Sequence, residues 1–312
     1  MRQRNAILIQ SVFFSAAALL VLSTLALVTF IGSAGLQVFS FLSPAEFFFG
    51  TTWDQNSESF GVLPLLYGTV ATTLITLLIS APLAIATAVF MVEIAPPRIR
   101  RVMRTVVELF AALPSVIFGL LGLTIIVPWV RDTFHAGLGK GIFAASIVLV
   151  FMTQPTIVSI AEDTLRALPE ALREGALAVG ATRWQMIWRV LLPAARPGLI
   201  TAIILGMGRA IGETMAVQMV IGNITAHIPN SLVTGATTMP AAIVTQLPEA
   251  TSPEHRAALI MVAFLLLLIT LVLIAVVRIA TGGQRTTTRA RKQPSPVNRT
   301  TVAAAPIKQG DA

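Results

Sequence analysis

The sequence contains no cysteine and little charge for its length. The absence of cysteine excludes disulfide bonds and thiolate metal sites. Only 12% of the 312 residues are charged, whereas a soluble domain carries about a quarter. The histidines, His135, His227 and His255, are too widely spaced along the chain to indicate a metal site. We therefore predict neither a metal nor any other cofactor.

Long apolar runs dominate the sequence instead. Hydrophobic residues make up 55% of the chain and the mean hydropathy is +0.82, which indicates a protein that crosses a membrane several times. A helix needs roughly 20 apolar residues to cross the hydrocarbon core. Six segments meet this requirement, and we predict spans one to six at 7–31, 65–91, 106–130, 141–160, 198–221 and 257–279. The first apolar run is too long for a signal-peptide core, so we expect it to remain as an anchor.

The basic residues lie almost entirely on one side of these spans. Of the 22 lysines and arginines, 18 fall before span one, between spans two and three, between spans four and five, or after span six. Loops of this kind face the cytoplasm under the positive-inside rule, so both termini are predicted to be cytoplasmic. We call this arginine-rich side the inner end and the opposite side the outer end. The net charge of +8 is then a signal of membrane topology rather than of nucleic-acid binding.

Composition divides the chain into three parts. Residues 1–64 are predicted to form an N-terminal anchor helix and a loop at the outer end, and residues 65–280 a core of five spans. Residues 281–312 are polar and basic without apolar periodicity, which predicts a disordered cytoplasmic tail. The sequence has no G-x-x-x-x-G-K-[ST] motif for nucleotide binding and no nucleophile–base set. We therefore predict that the chain is not an enzyme.

The loop between spans four and five, residues 161–197, is too apolar to be a simple linker, and we call it the inner loop. Gly180 suits the C-terminal stop of a first short helix. Thr182 can cap a second short helix that presents Trp184, and Pro193 is expected to end that helix. Exposed aromatic groups at the inner end indicate either a site where another protein docks or a loop that packs against the chain's own spans.

Span five contains two charged residues in an otherwise apolar environment. Within GMGRAIGETMA, residues 206–216, the charges are Arg209 and Glu213. At about 1.5 Å per residue, Arg209 lies roughly 18 Å into the span, near the middle of the bilayer. A lone arginine at that depth costs about 2.5–3.5 kcal/mol on insertion scales. Arg209 and Glu213 are four residues apart, so on a continuous helix they share one face and can pair.

Two interpretations of these charges follow from the residues alone. A buried arginine–glutamate pair can fix helix packing, and Gly208 and Gly212, also four residues apart, permit a close helix crossing. Alternatively, Arg209 handles an oxyanion, because the fork of donors on a guanidinium matches phosphate. Glu213 would then hold Arg209 in place, and its negative charge would keep the anion from binding too tightly to be released. Both interpretations place span five inside the bundle.

The inner loop resembles the EAA loop of ABC importer permeases. Glu174, Gly175, Ala176 and Gly180, followed by the run Val190-Leu191-Leu192-Pro193, reproduce the spacing E-A-A, three residues, Gly, nine residues, I-x-L-P, with Gly175 and Val190 as departures. In that family this loop is the coupling helix that sits in a groove of the cytoplasmic ATPase. The resemblance therefore implies an ATPase-coupling role for Glu174, Gly175, Ala176, Gly180, Trp184, Leu192 and Pro193.

Three further stretches resemble the PstC-type permeases of phosphate ABC importers. They are residues 63–96, 107–123 and 205–217, the last of which contains GRAIGETMAV. This resemblance implies an all-α membrane protein with the six-span bundle of a type I ABC importer permease, located in the bacterial inner membrane. It also implies that Arg209 and Glu213 take part in substrate translocation.

The resemblance implies partners as well. We expect a second permease subunit, two ATPase subunits that hydrolyse ATP on separate chains, and an extracytoplasmic phosphate-binding protein that delivers inorganic phosphate. The same machine carrying molybdate, tungstate or sulfate is an open alternative. An ion-coupled secondary transporter, with Arg209 and Glu213 as a titrating relay, and a membrane sensor without transport are the others.

Overall fold

A computed structural model describes residues 2–55 and 57–282 of the chain. These residues are almost entirely helical, apart from one short hairpin of β1 (Trp53–Asp54) and β2 (Ser59–Phe60). The α-helices are α1 (Arg2–Leu36), α2 (Pro44–Phe49), α3 (Leu63–Val89), α4 (Pro97–Ala112), α5 (Ser115–Leu121), α6 (Val127–Phe134), α7 (Ile142–Arg166), α8 (Glu170–Ala178), α9 (Arg183–Met186), α10 (Leu192–Gly212), α11 (Met215–Val220), α12 (Met239–Gln246) and α13 (Pro253–Gly282). Short π-helical turns at Phe90–Ile94, Gly122–Ile126 and Ile187–Leu191 continue α3, α5 and α9. The predicted tail lies outside the described residues except for its first two positions.

Six helical segments are long and apolar enough to cross a membrane, which confirms the predicted number of spans. Spans one to six are Gln10–Ser40, Leu63–Ile94, Ser115–Phe134, Ile142–Arg166, Arg183–Gly212 and Pro253–Ala275, and the names refer to these segments from here on. Spans two, four and six lie close to their predicted positions, and span one begins close to its predicted start but continues to Ser40 instead of ending near residue 31. Spans three and five differ, and both differences bear on the function.

Span three begins later than predicted. The prediction placed it at 106–130, but α4 ends at Ala112, the chain is extended at Leu113 with ψ of 132°, and α5 begins at Ser115. The cause is Pro114, because a proline disfavours the helical conformation of the residue before it. The preceding α4 carries all four arginines of its loop and has no buried residue, so it is an amphipathic helix at the inner end and not part of the span.

The helix α7 forms the centre of the bundle, between α3 and α10. Small hydroxyl residues make up much of the buried surface of α3, and these side chains are Thr69, Thr72, Thr73, Thr76 and Ser80. The hydroxyl of Ser146 in α7 donates to the carbonyl oxygen of Thr72 at 3.3 Å. Small polar residues allow close helix approach in a membrane, where van der Waals packing and hydrogen bonds hold helices together. Because α10 packs on the same central helix, Arg209 lies beside a tightly packed part of the protein.

Glycines in the outer half of span one pack closely against span six. Gly32 and Gly35 of α1 lie against Phe264 and Met261 of α13, and this contact joins span one to span six. Within the described part of the chain, the most apolar stretch of span one has no buried residue. The outer end itself is compact, because the indole N–H of Trp53 donates to Gln246 Oε1 at 2.8 Å and ties the hairpin to α12.

Candidate functional site

Span five ends at a break in the helix near the middle of the chain's bundle. The helix α10 stops at Gly212, Glu213 is extended with ψ of 126°, and α11 begins at Met215. The prediction that Arg209 and Glu213 share one continuous helix face is therefore wrong, because the helix ends between them. Interrupted backbone at membrane depth is tolerated only where protein surrounds it or where it lines a water-filled cavity. The break consequently marks the candidate translocation site.

Arg209 and Glu213 each bind a different partner. The Nη1 of Arg209 donates to the hydroxyl of Thr156 in α7 at 3.3 Å. The Oε1 of Glu213 accepts a hydrogen bond from the backbone N–H of Ala216, also at 3.3 Å, in the first turn of α11. Sequence reasoning missed Thr156, because it lies 53 residues before Arg209 and only the packing of α7 against α10 brings the two together.

Most of the guanidinium of Arg209 remains available. An arginine carries five N–H donors, and the bond to Thr156 is the only hydrogen bond that Arg209 forms with the described residues. None of the ion pairs between described residues includes Arg209, whose side chain is half-buried. It occupies the last turn of α10, where the partial negative charge of the helix terminus favours a cation. The break therefore holds a fixed cation with donors to spare.

The close helix crossing of α10 does not involve the glycines that the sequence suggested. A Cβ atom added to Gly208 or Gly212 would meet no atom of the described residues within 4 Å. By contrast, a Cβ atom on Gly206 would lie 2.5 Å from Cγ1 of Ile157 in α7. Gly208 and Gly212 thus have no close contact with the described residues, and their role in helix packing stays a prediction. Their side of α10 is open beside the break.

The EAA-like motif of the inner loop lies on α8. Glu174 and Gly175 are exposed, whereas Ala176 is buried against the rest of the loop. Gly180 has φ of 81°, the left-handed conformation expected of a residue that stops a helix. The N–H of Ala181 donates to the carbonyl oxygen of Ala176 at 3.1 Å and caps the helix end. The predicted stop at Gly180 is thus confirmed.

The second helix of the inner loop begins as predicted but does not end as predicted. Thr182 and Gln185 form a capping box, with distances of 3.3 Å and 2.9 Å between side-chain oxygens and backbone N–H groups. Pro193 does not terminate the helix; it lies in the first turn of α10, and a π-helical turn precedes it. A proline lacks an N–H and clashes with the carbonyl four residues earlier, and the wider π turn relieves this conflict. Trp184 and Arg209 therefore belong to one continuous helical segment.

The inner loop exposes apolar side chains and also packs against its own chain. Val179 and Trp184 are 83% and 62% exposed, and the ring of Trp184 lies 5.6 Å from that of Trp188. Trp184, Leu192 and Pro193 also line a cavity of about 630 Å³ between the inner loop and span two. The loop thus packs partly against the bundle, while Val179 and Trp184 keep most of their surface exposed.

A buried ion pair connects the inner loop to span two. Arg173, immediately before Glu174, donates from Nη2 and Nε to Oε1 of Glu93 at 2.9 Å and 3.1 Å. The two side chains are 14% and 8% exposed. The hydrogen bond to Glu93 is the main cause of the raised pKa of Arg173. Sequence reasoning missed this pair, because 80 residues separate its members.

Further arginines hold the inner ends of the spans together. The guanidinium of Arg100 in α4 donates to the carbonyl oxygens of Met91 and Val92 in the last turn of span two. Glu162, a buried residue of span four, forms ion pairs with Arg166 and Arg104. The arginine-rich loops thus cap helix C-termini and bind carboxylates, in addition to marking the topology.

The fold and the site together define a class of protein, a six-span membrane component in which span five ends at a break and an apolar loop is partly exposed at the inner end. Residues 81–284 match the family model described as "Binding-protein-dependent transport system inner membrane component". This match covers more than half of the chain, and the chain belongs to that family. It is a multi-pass permease component of the bacterial inner membrane and not an enzyme.

Relatives with sequence similarity cover most of the chain. The "Probable ABC transporter permease protein YqgH" of Bacillus subtilis is 44% identical over 234 residues, which are 74% of this chain and 75% of the relative. The "Phosphate transport system permease protein PstC" of Mesorhizobium japonicum is 37% identical over 287 residues, 84% of this chain and 86% of the relative. The protein of the same name from Xylella fastidiosa strain 9a5c is 37% identical over 257 residues, 76% and 79% of the two chains.

Solved structures confirm the type of bundle. An inward-facing structure of the MetNI methionine ABC transporter has a TM-score of 0.54 at 21% identity, covering 73% of this chain and 99% of that one. A bacterial alginate ABC transporter in complex with a pentasaccharide-bound periplasmic protein has a TM-score of 0.55 at 17% identity, covering 70% and 77%. The predicted type I ABC importer permease fold is thus confirmed. The cytoplasmic position of the termini stays a prediction from the arginine distribution.

Proposed function

We propose that the chain is a permease subunit of an ATP-driven ABC importer that moves inorganic phosphate across the inner membrane. The observation that carries this proposal is the guanidinium of Arg209, which has unused donors beside the break in span five. The PstC relatives, named as phosphate transport permeases, support the choice of anion. A second permease subunit, two ATPase subunits and an extracytoplasmic phosphate-binding protein complete the machine in this proposal.

The chemistry of the break suits transient binding of an oxyanion. A guanidinium offers two parallel N–H donors at the spacing of two phosphate oxygens. Thr156 orients Arg209 without neutralising its charge, because a hydroxyl is an uncharged acceptor. The carboxylate of Glu213 lies in the same break and limits the net positive charge there. A phosphate ion would therefore be stabilised during passage and still released.

The open side of α10 is where we place the second permease subunit. No described residue lies within 4 Å of a Cβ atom added to Gly208 or Gly212, and both glycines lie beside the half-buried Arg209. Small residues at this spacing allow a neighbouring helix to approach closely in a membrane. A helix of the second subunit at this face would enclose the break and form the other wall of the anion path.

The exposed face of the inner loop is where we place the ATPase. Glu174, Val179 and Trp184 all project from the inner end without a partner among the described residues that buries them. Exposed apolar and aromatic groups next to charged ones are typical of protein-docking surfaces. The continuous helix from Trp184 to Arg209 then links ATPase movement to the anion path.

Labelled-phosphate uptake tests this function. The assay would use bacteria that lack this subunit and receive the wild type, Arg209→Gln, Arg209→Lys or the surface control Arg101→Gln, with the other subunits present. We expect wild type and Arg101→Gln to restore uptake, Arg209→Gln to abolish it, and Arg209→Lys to restore a part, because lysine keeps the charge and loses the fork. Co-purification of the ATPase verifies that each variant assembles.

The same assay separates the alternatives. Normal uptake with Arg209→Gln would show that Arg209 has at most a structural role. Failure of the wild type to transport phosphate, with uptake of molybdate, tungstate or sulfate in its place, would reassign the substrate. Uptake that collapses with the proton gradient and persists without the ATPase would indicate a secondary transporter.

A further inference from the structure

The pair Glu93–Arg173 joins three elements that meet at the inner end. Arg173 lies in α8 next to Glu174, and Glu93 lies in the π-helical turn that ends span two. The same guanidinium donates to the carbonyl oxygens of Leu165 and Leu168 at 3.0 Å and 3.2 Å, at the end of span four. The inner loop, span two and span four are therefore bound together through one side chain.

No donor of this guanidinium is left unused. Its Nε binds Glu93, its Nη1 binds Leu168 and Glu170, and its Nη2 binds Glu93 and Leu165. An arginine with all five N–H groups engaged in fixed directions cannot change its orientation without losing several bonds. Displacement of α8 therefore has to carry Glu93 with it or break the contact.

Span two is held firmly at the point where this contact acts. Arg100 of α4 donates to the carbonyl oxygens of Met91 and Val92, which belong to the same π-helical turn as Glu93. The extra residue of the π turn would otherwise leave the end of the span loosely bonded. Arg100 and Arg173 both bind this turn, so the helix end is fixed. A force applied at Glu93 therefore moves the whole span.

Burial distinguishes this pair from the exposed pairs of the protein. Arg173 and Glu93 are 14% and 8% exposed, whereas Arg104 and Glu108 are 46% and 69% exposed. An exposed ion pair contributes little, because water screens it, whereas a buried pair keeps its geometry since each charge needs the other. Glu170, the second carboxylate on Arg173, is 70% exposed and lies on α8 itself, so it connects nothing across elements.

We propose that Arg173 and Glu93 are positioning residues that transmit movement of the inner loop to span two during transport. This proposal rests on the proposed docking of an ATPase to the inner loop. In it, the loop acts on the bundle at two places, through α9 into span five and through Arg173 into span two. The anion path would then open when spans two and five move together. Without the pair, span five would move and span two would not.

The test measures phosphate transported per ATP hydrolysed in proteoliposomes that contain the complete complex. We expect Glu93→Gln to lower this ratio by roughly five-fold or more, the range of typical coupling between sites, while ATPase association and ATP hydrolysis persist. The matched control is Glu170→Gln, which removes the exposed carboxylate from the same guanidinium and should leave the ratio unchanged. An unchanged ratio in Glu93→Gln would overturn the proposal.

If the Glu93→Gln complex fails to assemble, a cross-linking experiment tests whether this contact transmits movement. The chain has no cysteine, so Glu93→Cys with Arg173→Cys introduces a unique thiol pair, provided that the partner chains are also cysteine-free. We expect a short bis-methanethiosulfonate cross-linker to restore the ratio and a reductant to abolish it again. Equal ratios in the cross-linked and reduced states would show that no force passes through this point.

The loop variant Glu174→Lys with Gly180→Asp separates this proposal from the function on which it rests. If that variant keeps both ATPase association and uptake, the docking assignment is wrong and the transmission role falls with it. If it loses association while Glu93→Gln keeps a normal ratio, docking stands and only the role of the pair is wrong.

Discussion

Thr156 and Arg209 join spans four and five through a hydrogen bond of 3.3 Å between a hydroxyl and a guanidinium. Among the described residues the hydrogen-bond partner of Arg209 is neutral, and Glu213, the charged residue nearest to Arg209 in sequence, instead accepts a bond from the backbone N–H of Ala216. A carboxylate on Arg209 would stabilise the arginine more strongly and would also compete with any anion. The neutral partner gives the guanidinium a fixed direction and leaves its charge available.

Replacing Thr156 with valine should therefore slow transport without stopping it. Valine keeps the shape of threonine and removes the acceptor, so Arg209 loses its fixed orientation at a cost of about 0.5–1.5 kcal/mol. We expect the maximal rate of phosphate uptake to fall by roughly two-fold to ten-fold. Thr156→Ser, which retains the hydroxyl, serves as the control, and equal rates in the two variants would contradict the role of this bond.

Two neighbouring glycines of α10 should respond oppositely to a leucine. Gly206→Leu forces a side chain into Ile157 and should destabilise the isolated chain in detergent by about 1–3 kcal/mol, measured by thermal unfolding. Gly208→Leu enters open space and should leave that stability unchanged while reducing co-purification of a second permease subunit. A destabilised Gly208→Leu chain, or a fully assembled one, would count against an intersubunit face at this position.

The glycines of α8 should also differ from each other. Gly180 has φ of 81°, so alanine there would be strained by about 1–2 kcal/mol and should accelerate hydrogen exchange of the α8 amides. Gly175 lies within α8 with open space around it, so alanine should stabilise the helix by about 1 kcal/mol and slow the same exchange. Hydrogen-exchange mass spectrometry of the intact complex compares both variants with the wild type. Slower exchange in Gly180→Ala would refute the strained-cap explanation.

Trp184 should be a principal anchor for the ATPase. Its ring is 62% exposed, and large aromatic residues at the centre of an interface often contribute 2 kcal/mol or more. We expect Trp184→Ala to weaken ATPase binding to the purified permease by roughly thirty-fold in a titration. The control Trp129→Ala removes a tryptophan at the outer end that is 49% exposed. This variant should bind the ATPase with the affinity of the wild type. Equal affinities of the two variants would place the docking surface elsewhere.

Local patterns predicted most of the architecture correctly. Each span is a long apolar run whose length alone identifies it, so the number of spans needed no tertiary information. The stop at Gly180 and the cap at Thr182 depend on the chemistry of single residues within one turn. These features are encoded within a few positions and were therefore readable from the sequence.

The features that sequence reasoning missed depend on contacts between distant segments. Span five breaks at Glu213 although no proline follows, so no local signal distinguished a break from a continuous helix. The bonds of Arg209 to Thr156 and of Arg173 to Glu93 join residues 53 and 80 positions apart. Pro193 caused the opposite error, because the sequence predicted a helix end there. A π turn before Pro193 allows the helix to continue past it.

The uninterrupted helical segment Arg183–Gly212 is long and can act as a lever between its two ends. Trp184 stands at one end and Arg209 near the other, 25 residues apart, so the arm is about 38 Å long. A tilt of about 5° at the fulcrum moves the far end by roughly 3 Å, which is enough to make or break a hydrogen bond. In the proposed mechanism, the length of this helix therefore turns a small angular change at the inner end into a displacement comparable to the size of an oxygen atom.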